Sequence, residues 1–418
     1  MRASLFLALA IGCLIGADAG PAYAQVNGQA QQPVEPQPRR GIGLGGIGLS
    51  ISLGKKRRPP VLEQMDQPVD AAVNGELIIT IRGDAAEARR IADRAQVGLA
   101  ETWPLESLDT VMAVVRLRFG DSAETATARL RAINTVQLVV PNTIYQTMGR
   151  GESKPASAPA WFTSARIPPD SVSGPIAMID TPIDFSVEPL KAVRANQSFF
   201  GVAANAGVHG TAVASLLVGQ RGVTGSARGA QLFNAAAFSQ DARGATIGVT
   251  SNVAKALNAV VLQRPAVLVL AFGGNENPLL AQLLDVAHQR GICVVAAVGN
   301  GGPNTPVAFP ASHRASFAIT AVDERFSIYA YASRGNAIST AGVGVAQLAA
   351  VPGGYRVMSG TSFAAASVGG ALMHLDACAR DHRPDQARSI ITDAALDLGP
   401  RGRDPIFGAG LFRLPTGR

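Results

Sequence analysis

The sequence runs to 418 residues, enough for more than one domain with tails, and is 47% hydrophobic but only 5% aromatic, with 45 glycines. Such a core has to be built from small and aliphatic side chains packed closely, as in a buried α/β sheet. The net charge of +7 owes much to two short runs, Arg39-Arg40 and Lys55-Lys56-Arg57-Arg58. No aromatic residues interleave with them, so the excess reads as a basic tail and not as a nucleic-acid surface.

In chain order, residues 1–24 read as an export signal. Arg2 supplies the positive start, residues 5–15 are apolar, and Ala22-Tyr23-Ala24 offers a small-residue cleavage site before Gln25. The apolar stretch is short for a bilayer span, so no stable membrane span is expected after its removal. A lipid anchor at Cys13 fits less well than cleavage after Ala24. The product is therefore expected to be secreted or periplasmic. Residues 25–75 form a low-complexity linker rich in Gln, Pro and Gly that ends in the basic run. It contains Gly43-x-Gly45-x-x-Gly48, a formal dinucleotide fingerprint, but no strand precedes it and no helix follows.

Residues 76–148 read as a small α+β unit. Strands are predicted at 76–82, 98–105, 110–118 and 136–146, and helices at 84–96, opened by Asp84 as cap, and at 122–133. The order β-α-β-β-α-β is the split βαβ, or ferredoxin-like, arrangement. Residues 149–173 form a connector rich in Ser, Pro and Ala. From 174 to 418 apolar runs at 175–180, 230–235, 266–271 and 292–297 alternate with helical segments at 211–218, 245–263 and 278–290. This alternation predicts an α/β fold with a mostly parallel sheet and helices on both faces. Cys293 lies in an apolar strand and Cys378 on a helix. Two buried thiols and one disulfide are both open readings. No Cys-x-x-Cys or His-Glu-x-x-His is present, which disfavours zinc.

Active-site groups of parallel α/β sheets gather beyond the carboxyl ends of strands. Asp180 ends the strand Ile176-Ala-Met-Ile-Asp180, where a carboxylate is costly without a partner. His209 opens a helix in His209-Gly210-Thr211. Ser362 lies in Gly360-Thr-Ser362-Phe-Ala-Ala365, a Gly-led turn into a helix of small residues. Singly these are a turn cap, a core histidine and a helix cap. Together they are a nucleophile, a base and the carboxylate that orients the base. A strand ending in Gly299-Asn300-Gly301-Gly302 adds an amide able to donate to an oxyanion, flanked by glycines that let a backbone approach. The backbone N–H of Ser362, at a helix N-terminus, is the second donor.

These four motifs, in the order Asp, His, Asn, Ser, resemble those of the subtilisin-type serine peptidases, the subtilase family. The resemblance covers residues 174–418 and includes the ending Phe407-Gly-Ala-Gly-Leu-Phe412. It implies that Ser362 attacks a peptide carbonyl, that His209 carries the proton, that Asp180 orients His209 and that Asn300 stabilises the oxyanion. It implies polypeptide substrates paired to the segment Ala271-Phe272-Gly273-Gly274 and approaching Gly299. It implies no required cofactor. Structural calcium is common in the family, but no carboxylate cluster assigns ligands here. The unit at 76–148 resembles the family's propeptide, which implies an intramolecular inhibitor whose last strand feeds the cleft, with self-cleavage within 145–151. Departures are Ala212 for the family's second His, Ala271-Phe272 for Ser-Leu, and Ala366 for a Pro expected in the first turn of the serine's helix. The small residues at 273–274 and 299–302 imply a cleft open to a large apolar side chain. An α/β-hydrolase esterase is disfavoured, because its Gly-x-Ser-x-Gly motif and its Ser, acid, His order are both absent. The alternative reading is a non-catalytic binding or scaffold protein on the same fold. A surface adhesion protein has no stop-transfer helix to support it.

Overall fold

The computed structural model describes residues 72–151 and 172–415. The export signal, the linker up to residue 71 and connector residues 152–171 lie outside the described residues.

The first unit comprises β1 (Ala72–Ile81), α1 (Ala85–Arg94), β2 (Gly98–Leu105), β3 (Thr110–Arg116), α2 (Ala123–Arg131) and β4 (Val136–Thr147). Its strands are antiparallel in the order β2-β3-β1-β4. Side-chain caps fix both helix starts: the Glu87 N–H donates to Asp84 Oδ1 (2.9 Å) and the Thr125 N–H to Ser122 Oγ (3.1 Å). The period-2 alternation of β1 divides its apolar residues between two faces. Ile79 and Ile81 pack with Ile91 and Leu130 of the helices. Ile78 and its neighbours Met112 and Val114 pack instead into a cluster with Val253 and Leu257 of the second unit. A four-stranded sheet that is apolar on both faces needs a cover on each, and here the second unit supplies one of them.

The second unit begins with β5 (Arg150–Gly151), β6 (Pro175–Asp180), β7 (Ala195–Phe199), α3 (Val208–Val218), β8 (Gln231–Ala236), β9 (Ser239–Gln240) and β10 (Thr246–Val249). It continues through α4 (Thr250–Gln263), β11 (Val267–Leu270), β12 (Phe272–Gly273), α5 (Pro278–Gln289), β13 (Cys293–Ala297), β14 (Ser316–Val322) and β15 (Ile338–Val343). It closes with β16 (Gln347–Val351), β17 (Gly354–Ser359), α6 (Thr361–Leu372), α7 (Asp376–Ala379) and α8 (Pro384–Ala394). Seven strands form one parallel sheet, ordered β15-β14-β13-β11-β6-β8-β7. Alternate residues of β6 serve opposite faces. Ile176 and Met178 pack with α3 and α6, and Ala177 and Ile179 with α4 and α5. This is the expected α/β architecture.

Several boundaries differ from the sequence reading. β1 begins at Ala72, inside the segment read as linker. Residues 246–249, read as helix, form β10, and the helix starts only at Thr250. The β-branched run there favours a strand, and a pairing partner is at hand in β4. Arg150 and Gly151, read as connector, pair with β17. Ala366 is the sixth residue of α6 and so sits in its second turn, not its first. Cys293 and Cys378, both fully buried, form a disulfide with Cα atoms 5.9 Å apart. Among the described residues no helix is long and apolar enough to cross a membrane.

Candidate active site

β6 delivers Asp180 to the carboxyl end of the parallel sheet, where it is almost fully buried. Its Oδ1 accepts from the Thr181 N–H (2.7 Å), and its two oxygens lie 2.9 and 2.8 Å from His209 Nδ1. A carboxylate on Nδ1 holds the proton there and leaves Nε2 as the acceptor. His209 is the second residue of α3. Gly210 lets that helix come close, since a Cβ there would fall 2.5 Å from the Thr181 carbonyl oxygen. Nε2 is buried and has no hydrogen-bond partner among the described residues.

Ser362 is the second residue of α6, which opens at Gly360. Its backbone N–H donates to the Met148 carbonyl (3.2 Å). Its hydroxyl donates to the same carbonyl oxygen and also lies 3.0 Å from the Ala271 carbonyl. The hydrogen bond expected between Ser362 and His209 is therefore not made, because carbonyl acceptors in the cleft engage the hydroxyl. Ser362 and His209 nonetheless flank one peptide bond. Ser362 meets the Met148 carbonyl, and a Cβ built on Gly149 would lie 3.0 Å from His209 Cδ2.

Asn300 follows β13. Its Oδ1 accepts from Thr361 N (3.1 Å) and Thr361 Oγ1 (3.0 Å), which turns Nδ2 the other way, towards Gly360. A Cβ on Gly360 would sit 2.7 Å from the Met148 carbonyl oxygen and 3.1 Å from Asn300 Nδ2, so only glycine leaves this corner open. The Asn300 amide and the Ser362 N–H are thus both directed at the region of one carbonyl oxygen.

The segment that brings Met148 here is the end of β4. Ile144, Tyr145 and Gln146 pair antiparallel with Val249, Gly248 and Ile247 of β10. On the other side Gln146 and Thr147 pair with Gly273 and Phe272 of β12. The Met148 N–H donates to the Ala271 carbonyl (3.0 Å). The chain thus enters the cleft as a strand between two strands. Gly274 does not join this pairing: its N–H and carbonyl bond to Phe309 (2.9 and 3.1 Å). Gly274 instead makes room for the Tyr145 ring, since a Cβ there would lie 2.6 Å from Tyr145 Cδ1. The Met148 side chain reaches Gly273, where a Cβ would lie 2.4 Å from Met148 Cε, and lines a pocket together with Gly299, Asn300, Ala308 and Ser333. Gly299 adopts φ +108°, which only glycine takes without strain, and a Cβ there would meet Ser333 Oγ at 2.9 Å.

Sequence reading missed several contributors. Tyr145 is fully buried, edge-on to Phe272 (centroids 5.8 Å), with its hydroxyl donating to the Asn275 carbonyl (2.9 Å). Asn142 Oδ1 accepts from the Ser251 N–H (3.1 Å), capping α4 from a strand 109 residues earlier. Lys255, 4% exposed at its side chain, pairs with Glu101 of β2 and lies 5.2 Å from the Trp103 ring centroid. The local signals for β10 were Thr246 and Ile247 ahead of Thr250-Ser251, a better helix opening than Ala245.

A profile of the subtilase family matches residues 176–410. The chain belongs to the subtilase family. It is 28% identical over 248 residues to Subtilisin BL of Lederbergia lenta, covering 56% of this chain and 87% of that protein. It is 26% identical over 213 residues to the Minor extracellular protease Epr of Bacillus subtilis, covering 49% of this chain but only 32% of that protein. The crystal structure of fervidolysin from Fervidobacterium pennivorans shares the fold, with a TM-score of 0.70 at 18% identity over 84% of this chain and 61% of that one. So does the epidermin leader peptide processing serine protease of Staphylococcus aureus, at TM-score 0.62, 14% identity, and 81% and 97% coverage. The chain thus spans about a third of Epr's length and under two thirds of fervidolysin's.

Proposed function

We propose that this subtilase is an exported serine endopeptidase made as a self-processed precursor, with Ser362 as nucleophile, His209 as proton carrier, Asp180 as its orienting carboxylate and Asn300 as an oxyanion donor. The observation that carries the reading is the Met148–Gly149 peptide bond, laid in extended form across Ser362 with its carbonyl on the Ser362 N–H. The steps follow from these groups. The Ser362 hydroxyl turns from the carbonyl oxygen to its carbon and gives its proton to His209 Nε2. The oxyanion forms facing Asn300 Nδ2 and the Ser362 N–H. The C–N bond breaks as Nε2 returns the proton to the Gly149 amine, leaving an ester on Ser362. Water then enters, loses a proton to Nε2 and releases the carboxylate and the free serine. No cofactor is needed, because every group is supplied by the chain or by water.

The same contacts support the N-terminal unit as an intramolecular inhibitor. Its last strand fills the substrate groove, and the docked face of its sheet and the Lys255–Glu101 pair hold it in place after the cut. Export is supported by the signal-like start and by the disulfide, since such bonds persist in oxidising compartments. The relative named as extracellular is in keeping with this.

The test is purified full-length protein beside its Ser362→Ala variant. The parent is expected to yield a fragment starting at Gly149, read by N-terminal sequencing, while the variant stays whole. Cleavage of the variant at that bond without added protease would refute self-processing.

A further inference from the structure

Gly149, the residue that follows the scissile bond on this reading, has no room for a side chain. A Cβ built on it would lie 2.8 Å from Phe363 Cζ, 3.0 Å from Phe363 Cε2 and 3.0 Å from His209 Cδ2. Carbon atoms in contact settle at about 3.5–4.0 Å, so an added methyl collides with two rings at once. The exclusion is spatial and not conformational, because Gly149 is not among the glycines with positive φ. Its backbone would suit any L-residue.

Neither wall can retreat. Phe363 is fully buried, the third residue of α6, and packed in the core cluster that includes α3 and the central strands. The His209 ring is held by both Asp180 oxygens, and its centroid is 5.9 Å from that of Phe363. The Gly149 backbone is pinned on each side. Met148 is bonded to Ala271 and Ser362, and Arg150 and Gly151 pair with Ser359 and Met358 of β17.

We infer that Phe363 is a specificity-determining residue that restricts cleavage to bonds in which the residue after the cut is glycine. The substrate class is a polypeptide carrying an X–Gly bond in an extended segment, with Met before the bond as in this chain's own Met148–Gly149. This rests on the endopeptidase reading and adds a restriction to it. The bond-making steps are unchanged; what changes is which peptides bring their carbonyl within reach of Ser362.

The experiment uses the full chain after its own processing and three internally quenched peptides. Each carries Tyr-Gln-Thr-Met before the bond, and Gly, Ala or Leu after it. The expected kcat/KM for Gly exceeds that for Ala by about 10- to 100-fold, the scale of forcing one methyl into a packed site, and that for Leu by more. Phe363→Leu, which keeps an apolar side chain and withdraws the ring edge but leaves His209 Cδ2 in place, is expected to lower the Gly-to-Ala ratio at least threefold without abolishing it. Gly149→Ala in the precursor is expected to slow self-cleavage at least tenfold, which keeps the inference testable should the Phe363 variant fold poorly. Parent enzyme that cuts the Gly and Ala peptides within threefold of each other overturns the inference while leaving the peptidase intact. Failure to cut any peptide, together with no fluorophosphonate labelling at Ser362, overturns the endopeptidase reading itself.

Discussion

Replacing Tyr145 by Phe removes one hydroxyl from the strand seated in the cleft. Tyr145 is fully buried, and its hydroxyl donates to the Asn275 carbonyl at 2.9 Å. Burial pushes its phenol up to about 12, only partly offset by hydrogen bonding with Thr143 and Thr250. In the unfolded chain the phenol titrates near its ordinary value of about 10. At neutral pH the substitution loses one hydrogen bond, worth about 1 kcal/mol. At high pH the sign reverses. The unfolded chain gives up the phenolic proton first, so the Tyr145 contribution is complete below about pH 10 and is lost as pH climbs towards about 12. The total loss is about 2.7 kcal/mol. Phe cannot ionise and escapes it. With about 1 kcal/mol set against this loss, the two stability curves cross near pH ~10.7. The assay is urea unfolding of both chains in a Ser362→Ala background, which removes the proposed nucleophile, between pH 7 and 11.5. Other tyrosines and the lysines titrate in both chains and cancel in the difference. A difference that stays constant over the whole range would refute the argument, because it would mean that the hydroxyl titrates as a solvated one.

Asn300→Asp keeps the oxygen that accepts from Thr361 but replaces the donor amide with a second acceptor. It is expected to fold and to lose about 10²–10³ or more in kcat, read by single-turnover kinetics; retention of full turnover would remove Asn300 from the oxyanion role. Replacing Cys293 and Cys378 together by Ala opens a loop of 85 residues' separation. The chain-entropy relation gives about 4.5 kcal/mol and a Tm lower by about 7–9 °C in calorimetry; a change below about 3 °C would show that the bridge adds little.

Much of this fold is written locally. The apolar runs of β6, β11 and β13 read as buried parallel strands because both faces of the sheet demand apolar side chains. Asp84 and Ser122 mark helix starts because a cap acts within three residues. Asp180 is conspicuous as a carboxylate closing an apolar strand, and His209, Asn300 and Ser362 because each sits in a short motif whose glycines serve close approach. Other features depend on partners the local sequence does not name. β10 is a strand because β4 lies beside it, and α4 is capped by Asn142 from 109 residues away. The pairing of Cys293 with Cys378 follows from where α7 rests on β13. The tightness around Gly149 exists only because Phe363 and His209, distant in sequence, meet across a backbone fixed at both ends. Local propensity sets which elements form and which side chains they offer. Packing over long separations decides which of those side chains share a cleft and how much space is left in it.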